Sequence, residues 1–280
     1  MKIFNALLHT AVILRSIIKL ILVCITLFVL FVPFIIFRLL NINIYKDMPR
    51  YFHLFFLRIL NIKIKLVGEI HTNRPGLLIS NHASWIDISI LSSLTNISFI
   101  AKSEVAQWPL FGFLAKMQDT LFIERKSIKA IKQKNEIKNI LSKGKRLVLF
   151  PEGTSSDGNR VLQFKSSLFS VAEYEPNMKD IYTIQALTIC YKGINGLPMS
   201  RSERPYLSWW GDMGLLGHLW NMLSFRSADI IVIAHEPIDG ELNRKTLSEI
   251  AWKQVSFGLG LAMSGRARPL KQNDTAFEVL

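Results

Sequence analysis

The sequence predicts an α/β domain: a mixed, largely parallel sheet flanked by helices, carrying an N-terminal hydrophobic membrane helix or helical hairpin. Two observations predict it. From residue 62 onward, short strand-like runs alternate with helix-like segments. Before that, Leu20–Phe37 is an uncharged run of 18 residues, at the lower edge of what spans a bilayer. The expected division is 1–60 as a membrane-associated helical segment, 61–266 as the α/β domain and 267–280 as a loose polar tail.

The chain has 280 residues, 50% of them hydrophobic, and a net charge of +13. The apolar content and a positive mean hydropathy point to membrane contact. The positive charge suits an anionic partner. It is spread along the chain rather than gathered in a stripe, which argues against a nucleic-acid binder. Cys24 and Cys190 are too few for a disulfide or metal framework.

Taken in order, the apolar run is too long for a signal peptide, and no small-x-small cleavage site follows Phe37. Pro33 is expected to kink the helix near its end. Arg15, Lys19, Arg38, Lys46 and Arg50 flank the run on both sides, so the positive-inside rule gives no orientation. One spanning helix and a monotopic hairpin both remain open. Tyr51–Leu60 reads as an amphipathic helix lying against the first or in the interface.

Ile62–Val67 alternates with Lys63 and Lys65 as a half-buried strand, and Gly76–Ser80 reads as a buried one. Ile86–Leu94 reads as a helix, Ile97–Ala101 as a strand and Pro109–Met117 as a short helix with proline near its start. Thr120–Glu124 is the next strand. A helix is expected from a Ser127 cap to Lys143, stopped by Gly144. Arg146–Phe150 is a buried strand and Phe164–Tyr174 a helix. Tyr182–Tyr191 and Ile230–Ala234 are strands, and Leu242–Met263 is largely helical.

Three stretches carry chemistry. Asn81-His82-Ala83-Ser84-Trp85-Ile86-Asp87 sits at a strand-to-helix junction. On a continuous helix, residues five apart point about 140° from one another. His82 and Asp87 therefore meet only if His82 lies in the turn and Asp87 in the first helical turn. A carboxylate on one imidazole nitrogen leaves the other free as a base. Read alone, the pair also suits a junction histidine and an aspartate favoured at a helix N-terminus. Phe150-Pro151-Glu152-Gly153-Thr154 leaves a strand into a loop able to present amides and hydroxyls to an anion. Phe122-Ile123-Glu124-Arg125 ends a strand in a cation able to grip a phosphate bidentately.

Together, in this order and spacing, His82-x4-Asp87, Phe122-Ile123-x-Arg125 and Phe150–Thr154 resemble the 1-acylglycerol-3-phosphate acyltransferase family of glycerolipid acyltransferases. The resemblance covers about residues 60–200. The family usually has a glycine upstream of the Phe-Ile pair, where this chain has Asp119-Thr120-Leu121. It usually has arginine where Ser155 stands, and a proline in the strand that here reads Ile184–Ile189. Tyr206–Met213, followed by His218-Leu219-Trp220, resembles a segment of bacterial members that acylate lyso-ornithine lipid.

The resemblance implies transfer of a fatty acyl chain from acyl-CoA or acyl carrier protein to a lysolipid hydroxyl. The first expectation for the acceptor is 1-acyl-sn-glycerol-3-phosphate, and the alternative is lyso-ornithine lipid. His82 would be the base and Asp87 its orienter. Arg125, Glu152, Gly153 and Thr154 would hold the acceptor headgroup, and amides near Ser84 and Trp85 would face the oxyanion. No metal or further cofactor is implied. The place expected is the bacterial inner membrane, with the site facing the cytoplasm. Two other classes compete: a serine hydrolase using Ser84, and a catalytically inactive membrane scaffold.

Overall fold

The structure, a computed structural model, describes residues 2–123, 130–171, 182–239 and 242–272. An eight-stranded sheet is built from β1 (Ile62–Val67), β2 (Gly76–Ser80), β3 (Ser98–Lys102), β4 (Leu121–Ile123), β5 (Arg146–Leu149), β6 (Thr183–Ile194), β7 (Leu197–Pro198) and β8 (Ala228–Pro237). The order is β1-β8-β6-β2-β5-β3-β4, with β7 hairpinned onto β6. β4, β3, β5, β2 and β6 are parallel, β8 is antiparallel to β6, and β1 is parallel to β8. The sheet is mixed and largely parallel, as expected.

Sequence pattern follows sheet position. β2 lies in the middle, with all five residues buried, which is why Gly76–Ser80 is apolar without alternation. β1 is an edge, and Lys63 and Lys65 keep that edge wet. One face of the sheet is covered by α2 (Met48–Leu60), α3 (Ile86–Leu94) and α6 (Leu215–Ser224). Phe56, Leu57, Leu60, Ile90, Leu91, Met222 and Leu223 fill that core. The other face takes α5 (Ala130–Ser142) and α7 (Arg244–Met263), through Ile137, Leu141, Leu247, Ala251 and Val255.

Several elements depart from the reading. Asn243 caps α7, its Oδ1 accepting the Lys245 and Thr246 amides at 2.9 and 3.0 Å. The short helix α4 (Phe111–Met117) begins after the proline rather than on it, because Leu110 takes φ +61. Gly112 there lies so close to the Ala106 backbone that a Cβ would sit 2.5 Å from its carbonyl oxygen. Ser166–Val171 is a 3₁₀ segment within the expected helix Phe164–Tyr174, whose residues 172–174 lie outside the described residues. Helix α6 has no counterpart in the sequence reading, which saw only aromatic residues there. The tail is fixed at its start: Leu270 is buried, and its N–H donates to His235 Nδ1 at 3.1 Å. Ser127 and residues 273–280 lie outside the described residues.

The first helix, α1 (Lys2–Leu39), continues through Pro33 without interruption. By length and composition it is apolar enough to cross a membrane. It nonetheless packs on the body. Ser16, Lys19 and Phe34 are buried along one stripe. Lys19 Nζ donates to the carbonyls of Leu60 and Phe225 at 3.1 and 2.6 Å, and Arg15 donates to the Ser224 carbonyl. Near the other end, Arg38 donates to the Met117 carbonyl at 3.1 Å and pairs with Asp119 at 3.2 Å. The opposite stripe exposes Leu14, Ile18, Ile21, Ile25, Phe28 and Val32.

Candidate functional site

The site grows from the C-terminal end of β2, where ligands bind in open α/β sheets. Asn81 follows the strand and is buried. Its Nδ2 donates to the Ile189 carbonyl and its Oδ1 accepts the Ile189 N–H, at 2.9 and 2.8 Å. This two-way bond locks the turn onto β6. His82 occupies the turn and Asp87 the first turn of α3. That is the arrangement their spacing required.

Asp87 is fully buried, with a carboxylate partnered on both oxygens. Its Oδ2 accepts the Ala83 and Ser84 amides at 2.8 and 2.9 Å and lies 2.9 Å from His82 Nδ1. Its Oδ1 accepts the Tyr191 hydroxyl at 2.5 Å. Burial and the neighbouring carboxylate push the Tyr191 phenol well up, so it stays protonated and donates. An oxygen already taking two amide protons accepts from the imidazole as well, so Nδ1 carries the ring proton. His82 Nε2 is then an unprotonated base on a side chain that is 20% exposed. The ring stacks on Phe150, with centroids 4.3 Å apart and planes at 22°.

The Phe-Pro-Glu-Gly-Thr loop meets this turn from β5. The Ser156 amide donates to the His82 carbonyl at 2.8 Å. Glu152 does not face outward as a headgroup ligand. It is buried, with Oε1 accepting the His82 amide at 2.8 Å and Oε2 the Leu162 amide at 2.9 Å. Burial pushes its carboxyl up to about 8, and the two amide bonds oppose that rise. Glu152 is therefore a strut beneath the His82 turn. Gly153 takes φ +68, and a Cβ there would meet Lys165 Nζ at 2.8 Å. Thr154 is exposed on the same loop. Arg125 lies outside the described residues.

Two further expectations change. The Ser84 amide is committed to Asp87 and does not point at a reacting carbonyl. Ser84 itself is fully buried, which removes it as a hydrolase nucleophile. The sequence reading missed Tyr191, whose position inside an apolar strand gives no sign of a polar task. It also missed how the aromatic segment meets the site. The Trp209 amide donates to the Ala83 carbonyl at 2.8 Å. Trp85 Nε1 donates to His218 Nδ1 at 2.9 Å, from α3's entry to α6. Trp108 packs edge-on against Trp209, with centroids 5.9 Å apart.

The chain is similar to known proteins. Residues 61–191 match the family described as Acyltransferase. A lyso-ornithine lipid O-acyltransferase of Brucella abortus is 41% identical over 230 residues, 80% of this chain and 86% of that protein. A lyso-ornithine lipid O-acyltransferase of Rhizobium meliloti is 38% identical over 82% of this chain and 80% of its own. The crystal structure of the 1-acyl-sn-glycerophosphate (LPA) acyltransferase from Thermotoga maritima superimposes with a TM-score of 0.61. At 17% identity, it covers 88% of this chain and 97% of that one.

Proposed function

The chain belongs to the acyltransferase family, and on that premise we propose that it moves a fatty acyl chain from a thioester to the hydroxyl of lyso-ornithine lipid. The observation that carries the reaction class is the His82–Asp87 bond, which leaves Nε2 as the base. His82 Nε2 takes the proton from the acceptor hydroxyl as its oxygen attacks the thioester carbonyl. Collapse of the tetrahedral adduct breaks the carbon–sulfur bond, and the imidazolium returns its proton to the departing thiolate. Asp87 holds the ring's orientation and stabilises the imidazolium. The thioester, acyl-CoA or acyl carrier protein, is the co-substrate, and the transfer needs no other group.

The acceptor preference reverses the order that the sequence suggested. Support comes from the relatives named for lyso-ornithine lipid and from the Tyr206–Trp220 segment, which bonds directly to Ala83 and Trp85. Arg125 and the exposed Thr154 remain the candidates for gripping the headgroup, whose carboxylate suits an arginine fork. The test is competition. Membranes containing the protein are given labelled acyl-CoA or acyl carrier protein, with lyso-ornithine lipid and lysophosphatidic acid together. Label in ornithine lipid supports the reading, and label confined to phosphatidic acid overturns it.

The protein sits on the cytoplasmic face of the inner membrane in this reading, with α1 lying in one leaflet. Bonds from α1 to the body run from Arg15 to Arg38, about 35 Å of helix. A hydrocarbon core is about 30 Å thick. A helix held along that length by Arg15, Lys19 and Arg38 has no stretch left to cross. Its outer stripe, with Trp210, Leu216 and Trp220 exposed on the body, gives an apolar surface for the leaflet.

A further inference from the structure

A cavity of about 310 Å³ opens at the opposite edge of the sheet from His82. It lies where α3 ends and where β3 and β5 begin, with Thr95, Ser98 and Arg146 in its wall. The catalytic turn is at the other end of α3, so this cavity belongs to a different site. Among the described residues, four cations, Lys46, Arg50, Lys145 and Arg146, line it against a single carboxylate, Asp119. That carboxylate is already bonded to Arg38 at 3.2 Å and to Lys145 at 2.9 Å. Arg50 is steadied through Nε on the Ser93 carbonyl at 3.1 Å.

The floor is built rather than accidental. Gln118 is its hub: Nε2 donates to Ser92 Oγ at 2.7 Å, and Oε1 pairs with His53 Nε2 at 3.2 Å. Ser98 Oγ donates to the Gln118 carbonyl at 2.9 Å. Ser92, Ser98 and His53 are all buried. Burial lowers His53 to about 4, so the floor is neutral and the positive charge sits on the walls. The remaining wall is apolar and belongs to the membrane element. Phe34 of α1 and Tyr45 line it, and the Arg38 guanidinium lies over both rings at 5.7 and 5.9 Å.

We propose that this cavity binds the phosphate of an anionic glycerophospholipid that is not a substrate, anchoring the protein beside α1. A cationic wall next to an apolar one matches a phosphate with the first carbons of its glycerol and chains. The volume suits a headgroup and excludes a protein surface. The mouth adjoins the helix whose outer stripe faces lipid, so a headgroup reaches it without leaving the interface. The inference rests on that interfacial seat of α1.

Vesicle flotation of the full-length protein tests it, comparing neutral phosphatidylcholine vesicles with vesicles also containing phosphatidylglycerol. The variant is Lys46→Gln with Arg50→Gln. The control, Lys63→Gln with Lys65→Gln on exposed β1 positions, removes the same charge. The cleft variant is expected to lose roughly tenfold of its binding to anionic vesicles and none to neutral ones, with the control losing far less. Equal losses in both variants would mean diffuse attraction and overturn the site. Release of the wild type by inorganic phosphate at matched ionic strength would assign the cavity to free phosphate and overturn the lipid. If the wild type floats with neither vesicle, the seat of α1 fails, and the anchoring site fails with it.

Discussion

The Tyr191 hydroxyl and the Asp87 carboxylate, 104 residues apart in the chain, share a hydrogen bond of 2.5 Å at the buried centre of the site. It joins β6 to the first turn of α3 and completes the ring of donors around Asp87. Four protons converge on that carboxylate: two from backbone amides, one from a phenol and one from the His82 imidazole. Asp87 thus holds the His82 ring and is also a structural centre, and the two roles separate in mutants.

The first prediction uses that separation. His82→Ala removes a partly exposed ring and leaves every amide bond to Asp87 in place. It should lower kcat by about 100- to 10,000-fold, the usual worth of a positioned base, with circular dichroism and melting unchanged. Asp87→Ala strips a buried acceptor from three other donors and should lower Tm as well as activity. Near-wild-type turnover by His82→Ala would remove the mechanism.

Tyr191→Phe tests the phenol as a positioning residue. The lost bond is to a charged acceptor, worth about 1.5–3 kcal/mol. With one donor fewer, the Asp87 carboxylate is less firmly held and orients His82 less well. The variant should therefore lose kcat with little change in KM. A purely structural tyrosine would lower Tm and leave kcat of the folded enzyme where it was.

Much of this arrangement was legible in the sequence, and the rest was not for physical reasons. The spacing of His82 and Asp87 demanded a turn followed by a helix start, and β2 and α3 have the bounds that pattern predicted. Glu152 was misplaced because a glutamate after a strand reads as surface. Only the fold shows two amides, from His82 and Leu162, converging on it. Tyr191 and the Trp85–His218 link depend on contacts across more than a hundred residues, which no local period encodes. The cations of α1 read in the sequence as flanks of an apolar run, yet they fall on the body-facing stripe and bond to carbonyls there.

The strut role of Glu152 predicts a pH dependence of stability. Its carboxyl is raised from 4.5 to about 8 in the folded chain, so the fold holds that proton more tightly than the unfolded chain does. Its contribution is full below 4.5 and is lost as pH rises to about 8. Glu152→Gln cannot titrate, and its amide faces one of the two N–H donors without accepting. The variant should melt below wild type at low pH, with the gap narrowing as pH rises through that window. A gap that stays constant across the window would show that Glu152 does not titrate there.

The last prediction concerns how α1 meets the bilayer. Arg15 and Lys19 tie its first half to the carbonyls ending α2 and α6, and Arg38 ties its last turn beside α4. The two ends therefore lie on the same side as the body. Single cysteines replacing His9 and Asn43, each exposed, report this in a Cys24→Ser background. A membrane-impermeant thiol reagent added to inside-out vesicles should label both positions, and added to right-side-out vesicles should label neither. Labelling of the two positions from opposite sides would make α1 a spanning helix. The bonds from Arg15 and Lys19 would then have to break in the membrane, leaving those cations unpaired in hydrocarbon at a cost of several kcal/mol.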